Sequence, residues 1–301
     1  MQDRINAILS DYDGTLSPTK TLRNNEESVP KQLEEVLCNI AQSLPVCIVS
    51  SKDYHFLNRK AKFARVLSCI MGIETVVLKM LKDTSSKIEI RSNNGDNLGC
   101  IKERYLLPNI EEILSTNSAT LSKLAKSIES EFKANVIVER KYTSDRKYLA
   151  GITIDYRHLE NWELYKNKLE PSLNEVIQKY SSLSQARSNL YTQMYRSHPF
   201  LDVYSVYSDK GNAFDLIANN ILNFKNNNEE IGRQRGILYL GDSENDNPAF
   251  RKASISVGII SDKRLNPKLD CQYMIEFNDL FIFLKNLLKA KFVFSEDLLV
   301  K

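Results

Sequence analysis

Strand and helix signals alternate at both ends of this chain and lose that rhythm in the middle. The first segment has a short apolar run at 5–10 and a helical pattern at 29–41, with Leu33, Val36, Leu37 and Ile40 on one face. A second apolar run follows at 45–49, then a helix at 53–63 and a strand at 66–70. Such alternation implies a parallel sheet with helices on both faces, because parallel neighbours need a crossover connection. The middle reads differently. Strands are predicted at 87–91, 135–140, 150–156, 190–194 and 200–204, with polar turns at 92–95 and 143–147. Helices are predicted at 109–132 and 159–180, the second interrupted by Pro171. The rhythm then returns, with a helix at 212–223, a polar loop at 226–230, strands at 236–240, 255–259 and 274–277, and an amphipathic helix at 279–291. The expected fold class is α/β. Residues 1–83 and 201–301 form one doubly wound parallel-sheet core, into which an α+β unit of residues 84–200 is inserted.

The first strand runs directly into Asp11-Tyr12-Asp13-Gly14-Thr15-Leu16. Side chains at i and i+2 of an extended segment share a face, so Asp11 and Asp13 point the same way. Two like charges held together repel unless a cation or a shared proton lies between them. The pair therefore suggests metal-assisted chemistry. An Asp-Gly turn with Thr as a helix cap is the plainer alternative.

Three further clusters have the same setting. Gly241-Asp242-Ser243-Glu244-Asn245-Asp246 leaves the end of another apolar strand, the edge at which doubly wound sheets bind ligands. Its carboxylates are hard oxygen donors, suited to Mg²⁺ rather than zinc; an acidic helix start is the alternative. Val49-Ser50-Ser51-Lys52 ends a strand in hydroxyls, which can hold a phosphate or simply cap a helix. Asp209-Lys210-Gly211-Asn212-Ala213 opens a helix with a lysine that could neutralise an anion beside the aspartates, or lie solvated at the surface.

Taken together and in this order, the four clusters resemble the four motifs of the haloacid dehalogenase (HAD) superfamily. The long insertion between the second and third resembles the cap of its subclass IIB, the Cof-like sugar phosphatases. The resemblance implies a Rossmann-like HAD core with an inserted cap. It also implies Mg²⁺-dependent hydrolysis of a sugar phosphate through an aspartyl-phosphate. Asp11 is then the nucleophile and Asp13 the general acid and base. Asp11, Asp13 (through its carbonyl), Asp242 and Asp246 belong to the metal site. Ser50 and Lys210 hold the phosphoryl oxygens, with Ser51, Lys52 and Asn245 beside the substrate. Within the subclass, Val138-Glu139-Arg140-Lys141, Thr153-Ile154-Asp155-Tyr156-Arg157 and Leu201-Asp202-Val203 resemble the cap of trehalose-6-phosphate phosphatases, which assigns Glu139, Lys141 and Arg157 to substrate binding. The chain departs from that branch in three places. Ser51-Lys52 stands where Gly-Arg is usual, a variant similar to mannosyl-3-phosphoglycerate phosphatases. Asp155 stands for a His and Asp202 for a Glu. Other phosphatases, including those acting on phosphoglycolate, a phosphomannomutase-like phosphotransferase and a non-catalytic ligand sensor are the competing expectations.

Composition narrows the partners. Net charge is +3, from 41 basic and 38 acidic residues, which lacks the basic excess of a nucleic-acid protein. No apolar stretch approaches the ~18 residues of a membrane span, and the first residues do not read as a signal peptide. The five cysteines include no CxxC pair, so neither a zinc site nor a disulfide framework is expected. A cytoplasmic monomer or small homo-oligomer acting on a small molecule is the resulting expectation.

Overall fold

The computed structural model describes residues 3–18, 28–79, 101–183, 190–195, 198–224, 234–261 and 267–299. The first half of the core consists of β1 (Asp3–Arg4), β2 (Ala7–Ser10), α1 (Lys31–Ala41), β3 (Val46–Val49), α2 (Tyr54–Lys60), β4 (Val66–Cys69), β5 (Glu74–Leu78) and β6 (Ile101–Leu106). The insertion holds α3 (Glu111–Glu131), β7 (Ile137–Tyr142), β8 (Leu149–Asp155), α4 (Trp162–Leu183), β9 (Tyr191–Met194) and β10 (Phe200–Tyr204). The chain then returns to the core with α5 (Lys210–Asp215), β11 (Gln234–Gly241), α6 (Asn247–Phe250), β12 (Ala253–Ile260), β13 (Tyr273–Glu276), α7 (Phe277–Lys289) and β14 (Val293–Phe294). A π-helical turn, Leu216–Ile221, continues α5.

The main sheet has eight strands in the order β13-β12-β11-β2-β3-β4-β5-β6. The first six run parallel, and β5 and β6 add antiparallel at one edge. Alternation along each strand sends side chains to two separate cores. Ile8, Val46, Ile48, Leu67, Leu238 and Leu240 face the side covered by α1 and α7. Ala7, Leu9, Cys47, Val49, Ile237 and Tyr239 face Phe214, Ile217 and Phe250 on the other. Strands buried on both faces therefore read as continuous apolar runs. Because β2, β3 and β11 are parallel and in register, Ser10, Val49 and Gly241 finish at one edge.

The inserted sheet is antiparallel, in the order β7-β8-β10-β9. Ile152, Ile154, Leu201 and Val203 pack beneath α3 and α4, against Leu121, Leu124, Ile128, Leu173 and Ile177. The opposite face is polar. Glu139, Thr153 and Asp202 stand abreast on three neighbouring strands.

Sheet membership moves both boundaries drawn at 84 and 200. Residues 101–106 belong to the main sheet, and 200–204 to the small one. Strand β6 escaped notice because Lys102, Glu103 and Arg104 give it the charged composition of an edge strand. Pro171 also departs from expectation, since α4 runs through it without interruption. Its ring lies on the solvent side, while Leu169, Leu173 and Ile177 anchor both halves of the helix to the sheet. The strand expected at 87–91, the turn at 92–95 and the loop at 226–230 lie outside the described residues.

A buried carboxylate bolts the two units together. Glu74 of β5 is fully buried, and its Oε2 accepts the Ser144 backbone N–H at 2.8 Å. Its Oε1 accepts the Ser144 hydroxyl at 2.8 Å and Arg104 Nε at 2.5 Å. Asp53 reinforces the joint by accepting the Tyr142 N–H at 3.3 Å. Replacing Glu74 by Ala removes all three bonds at that carboxylate. Because Arg104 is partly exposed, the loss should fall at the low end for a broken buried pair, about 3 kcal/mol. Urea unfolding of Glu74→Ala at neutral pH measures it; a midpoint equal to that of the parent chain would contradict this account.

Candidate active site

Each of the four clusters meets the same sheet edge. Asp11 follows β2, and its N–H donates to the Leu240 carbonyl at 2.9 Å, which ties the loop to β11. The chain then folds back, with Leu16 and Ser17 both donating to the Tyr12 carbonyl at 2.9 Å. Gly14 has a φ of +79°, and a Cβ there would lie 2.0 Å from Asp242 Oδ2. Only glycine accommodates that backbone and that approach. Thr15 Oγ1 donates to Asp242 Oδ1 at 3.1 Å and fixes the carboxylate against the first loop.

Lys210 lies fully buried beneath these acids. Its Nζ is 2.9 Å from Asp11 Oδ2 and 2.7 Å from Asp246 Oδ1. Helix α5 presents it there because the Asp209 carboxylate caps the helix start, accepting the Asn212 N–H at 2.8 Å. Asp246 is held from several sides. Its Oδ1 also accepts the Tyr239 hydroxyl at 2.7 Å, and its Oδ2 accepts the backbone N–H groups of Asp242 and Ser243, each at 3.1 Å.

One lysine does not balance three carboxylates. Burial, offset in part by Lys210 and reinforced by Asp246, pushes the Asp11 carboxyl up to about 7. Burial and the neighbouring Asp11 and Asp246 hold Asp242 well above the carboxylate range. Burial alone would disfavour the Lys210 ammonium, but Asp11 and Asp246 outweigh it and hold its pKa above the ordinary lysine value. The site is therefore short of positive charge. Asp11, Asp242 and Asp246 each offer an oxygen within 4.8 Å of the others. An all-carboxylate donor set on a hard-cation scale fits Mg²⁺, and a dication would relieve the excess charge.

The other residues singled out by sequence fall into two groups. Ser50 is buried at the end of β3, and its hydroxyl accepts the Lys52 N–H at 3.2 Å. Ser51 is partly exposed beside it. Lys52 reaches both units: its Nζ is 3.7 Å from Asp13 Oδ2 and 3.1 Å from Glu139 Oε2 across the interface. Asn245 lies on the Asp242 loop, where its Oδ1 accepts the Ser243 hydroxyl at 2.7 Å. Two cap residues are engaged within the cap itself. Lys141 is buried with its Nζ 2.9 Å from Asp202 Oδ1. Arg157 pairs with Asp155 at 2.9 Å and lies over the Phe200 ring.

Sequence reasoning missed Tyr239 and Tyr195. A hydroxyl-bearing side chain two positions before the end of an apolar strand was the available signal for Tyr239. Tyr195 offered none, because its hydroxyl reaches Asp202 through the pairing of β9 with β10.

No protein-family model matches the chain, and no curated protein matches it. Solved structures do. The C-terminal domain of trehalose-6-phosphate phosphatase from C. albicans superposes with a TM-score of 0.64 at 16% identity, covering 96% of this chain and 94% of that one. A trehalose-6-phosphate phosphatase related protein gives 0.62 at 14% identity, over 94% and 97%. A haloacid dehalogenase-like hydrolase from Bacteroides thetaiotaomicron gives 0.56 at 15%, over 95% and 100%. The architecture is thus that of haloacid dehalogenase phosphatases, with both the parallel-sheet core and the cap included.

Proposed function

We propose that this chain is a Mg²⁺-dependent sugar-phosphate phosphatase that works through an aspartyl-phosphate on Asp11. The observation that carries the reading is the convergence of Asp11, Lys210 and Asp242 at the carboxyl edge of the parallel sheet. A phosphoryl group arriving there would meet a carboxylate nucleophile with a buried ammonium at its side. Phosphoryl transfer needs positioning and charge neutralisation more than elaborate covalent chemistry.

In this mechanism an Asp11 oxygen attacks phosphorus while the ester P–O bond breaks. Asp13, partly exposed at the cap interface, gives its proton to the departing sugar oxygen. It then takes a proton from the water that attacks the aspartyl-phosphate, which releases inorganic phosphate and restores the Asp11 carboxylate. Lys210 holds one phosphoryl oxygen and the Ser50 hydroxyl another. Asp246 keeps Lys210 aligned and braces the Asp242 loop. Bound Mg²⁺, held by Asp11, the Asp13 carbonyl and Asp242 with Asp246 beside them, would neutralise charge on the transferring group.

Substrate choice falls to the polar face of the cap sheet. Lys52, Ser51, Asn245 and Glu139 are the residues proposed to line it, with Lys141 and Arg157 shaping it from within the cap's own ion pairs. Trehalose 6-phosphate is the first candidate, supported by two structural neighbours, a trehalose-6-phosphate phosphatase domain and a related protein.

Phosphate release should be measured with trehalose 6-phosphate, mannosyl-3-phosphoglycerate, phosphoglycolate and hexose phosphates. Turnover of at least one sugar phosphate is expected, falling at least about a hundred-fold in EDTA and returning with Mg²⁺. Turnover that ignores EDTA would overturn the metal-assisted mechanism. Interconversion of sugar 1- and 6-phosphates without net release would move the chain to the phosphotransferases.

A further inference from the structure

The loop that follows β3 lies along the first strand of the cap. Lys52 Nζ donates to Glu139 Oε2 at 3.1 Å and to Oε1 at 3.3 Å. One residue on, Asp53 accepts the Tyr142 N–H at 3.3 Å, and His55 Nε2 lies 3.2 Å from the Thr143 carbonyl. Residues 52–55 thus meet β7 and the turn after it along their length. On the cap side, Thr153 and Asp202 are bonded to each other, whereas the neighbouring Glu139 carboxylate reaches the core.

The Lys52 ammonium is the meeting point. Its side chain is only 10% exposed, and Asp13 Oδ2 lies 3.7 Å from Nζ. That is too long for a hydrogen bond but a close charge contact in a setting largely shut off from water. The route of the side chain is fixed. The Lys52 N–H donates to Ser50 Oγ at 3.2 Å, and the Lys52 carbonyl accepts the Ile70 N–H at 2.9 Å. Nζ lies 5.0 Å from the centre of the Phe56 ring, and that ring meets Tyr12, between Asp11 and Asp13, edge to face. One cation therefore serves two carboxylates, one from each unit. Without it, Asp13 and Glu139 would face each other as like charges.

We propose that Lys52 is a positioning residue that holds the Asp13 carboxyl toward the cap and ties its direction to Glu139. The same ammonium then seats the cap and aims the proton donor. The role of Asp13 rests on the phosphatase reading, whereas the tie rests on the contacts alone. In that reading the Asp13 proton goes to the departing sugar oxygen, an alkoxide that leaves poorly without it. A misdirected Asp13 costs such substrates most. A nitrophenolate leaves without a proton, so p-nitrophenyl phosphate asks little of Asp13 while the aspartyl-phosphate forms.

Lys52→Met keeps most of the stem against Phe56 and removes the charge. Glu139→Gln weakens the tie from the cap side and leaves Lys52 beside Asp13. On a turned-over sugar phosphate, Lys52→Met should lower kcat about ten-fold and Glu139→Gln by less, each with KM within about two-fold, as expected for lost alignment. Lys52→Met should also lose at least about ten times more kcat/KM on the sugar phosphate than on p-nitrophenyl phosphate. Equal losses on the two substrates would overturn the proposal. A raised KM with kcat kept would overturn it too, since that marks a direct substrate ligand. Hydrogen exchange over residues 137–142, followed by mass spectrometry on the whole metal-free chain, reads the tie without turnover. It should rise about ten-fold in Lys52→Met while β3 and β10 keep their protection. Adding Glu139→Gln should make it no faster, because the second change removes the charge that repels Asp13. Unchanged exchange in Lys52→Met would overturn the proposal, as would additive effects in the double variant. Faster exchange in a chain that hydrolyses none of the phosphates would sink the phosphatase reading and leave the tie standing.

Discussion

Asp11→Asn should lose activity by about 10⁴-fold or more while becoming more stable than the parent chain in the absence of metal. The first effect follows from chemistry. An amide is a poor nucleophile toward phosphorus, and removing the nucleophile of a covalent mechanism is among the most damaging single changes. The second follows from the charge balance of the pocket. Burial is the largest cause holding the Asp11 carboxyl up at about 7, against an unfolded value near 4. Between those values the folded state binds the extra proton, so metal-free stability falls as pH rises from about 4 to about 7. Above that range the parent chain carries the full cost of an ionised Asp11. Asparagine does not ionise, and its carbonyl can still accept from Lys210. At pH 8 and without divalent cation, the variant should gain on the order of 1–3 kcal/mol in urea unfolding. Added Mg²⁺ should narrow that gap, because the cation stabilises the parent more. A variant that keeps even a few per cent of parental turnover would remove Asp11 as nucleophile. A variant that unfolds earlier than the parent at pH 8 would show that the Lys210 pairing outweighs desolvation.

What could be read from sequence, and what could not, divides along the range of the interactions. Asp11, Ser50 and Asp242 each sit at the carboxyl end of an apolar strand, and in a parallel sheet those ends necessarily meet. Local pattern was thus enough to bring them together. The paired strands of the insertion were also legible, because β7 and β8 alternate about a polar turn. Partners chosen by distance in space were not. Glu74 binds Ser144 and Lys52 binds Glu139, neither of which follows from spacing. Lys141 illustrates the same limit. Its basic character suits an anionic substrate, yet the fold commits its ammonium to Asp202. Strand β6 failed for another reason: an edge strand answers to solvent on one side, so its composition resembles a loop.

Lys210→Met should be the most damaging single change to the metal-free fold, and its cost should depend on pH. Methionine fills much of the lysine stem, so packing is largely conserved. What is lost is the ammonium within 3 Å of Asp11 and Asp246, in a pocket that also holds Asp242. Breaking a buried pair by removing one partner costs about 3–5 kcal/mol, because the remaining charge is left uncompensated. The carboxylates can escape that cost by taking protons. Without Lys210, the folded-state pKa of Asp11 rises further above its unfolded value. The variant then binds more protons folded than unfolded over a wider range, and its stability falls more steeply as pH rises. The deficit against the parent should therefore be largest near pH 8 and shrink toward pH 5. Urea unfolding at those two values, without divalent cation, measures it; a deficit independent of pH would point to lost packing instead of lost charge. Turnover should fall about 10³-fold, as when a fixed charge facing the transferring group is removed. Lys210→Arg should not restore it, because a planar guanidinium cannot fit a fully buried site built around a compact ammonium between two carboxylates.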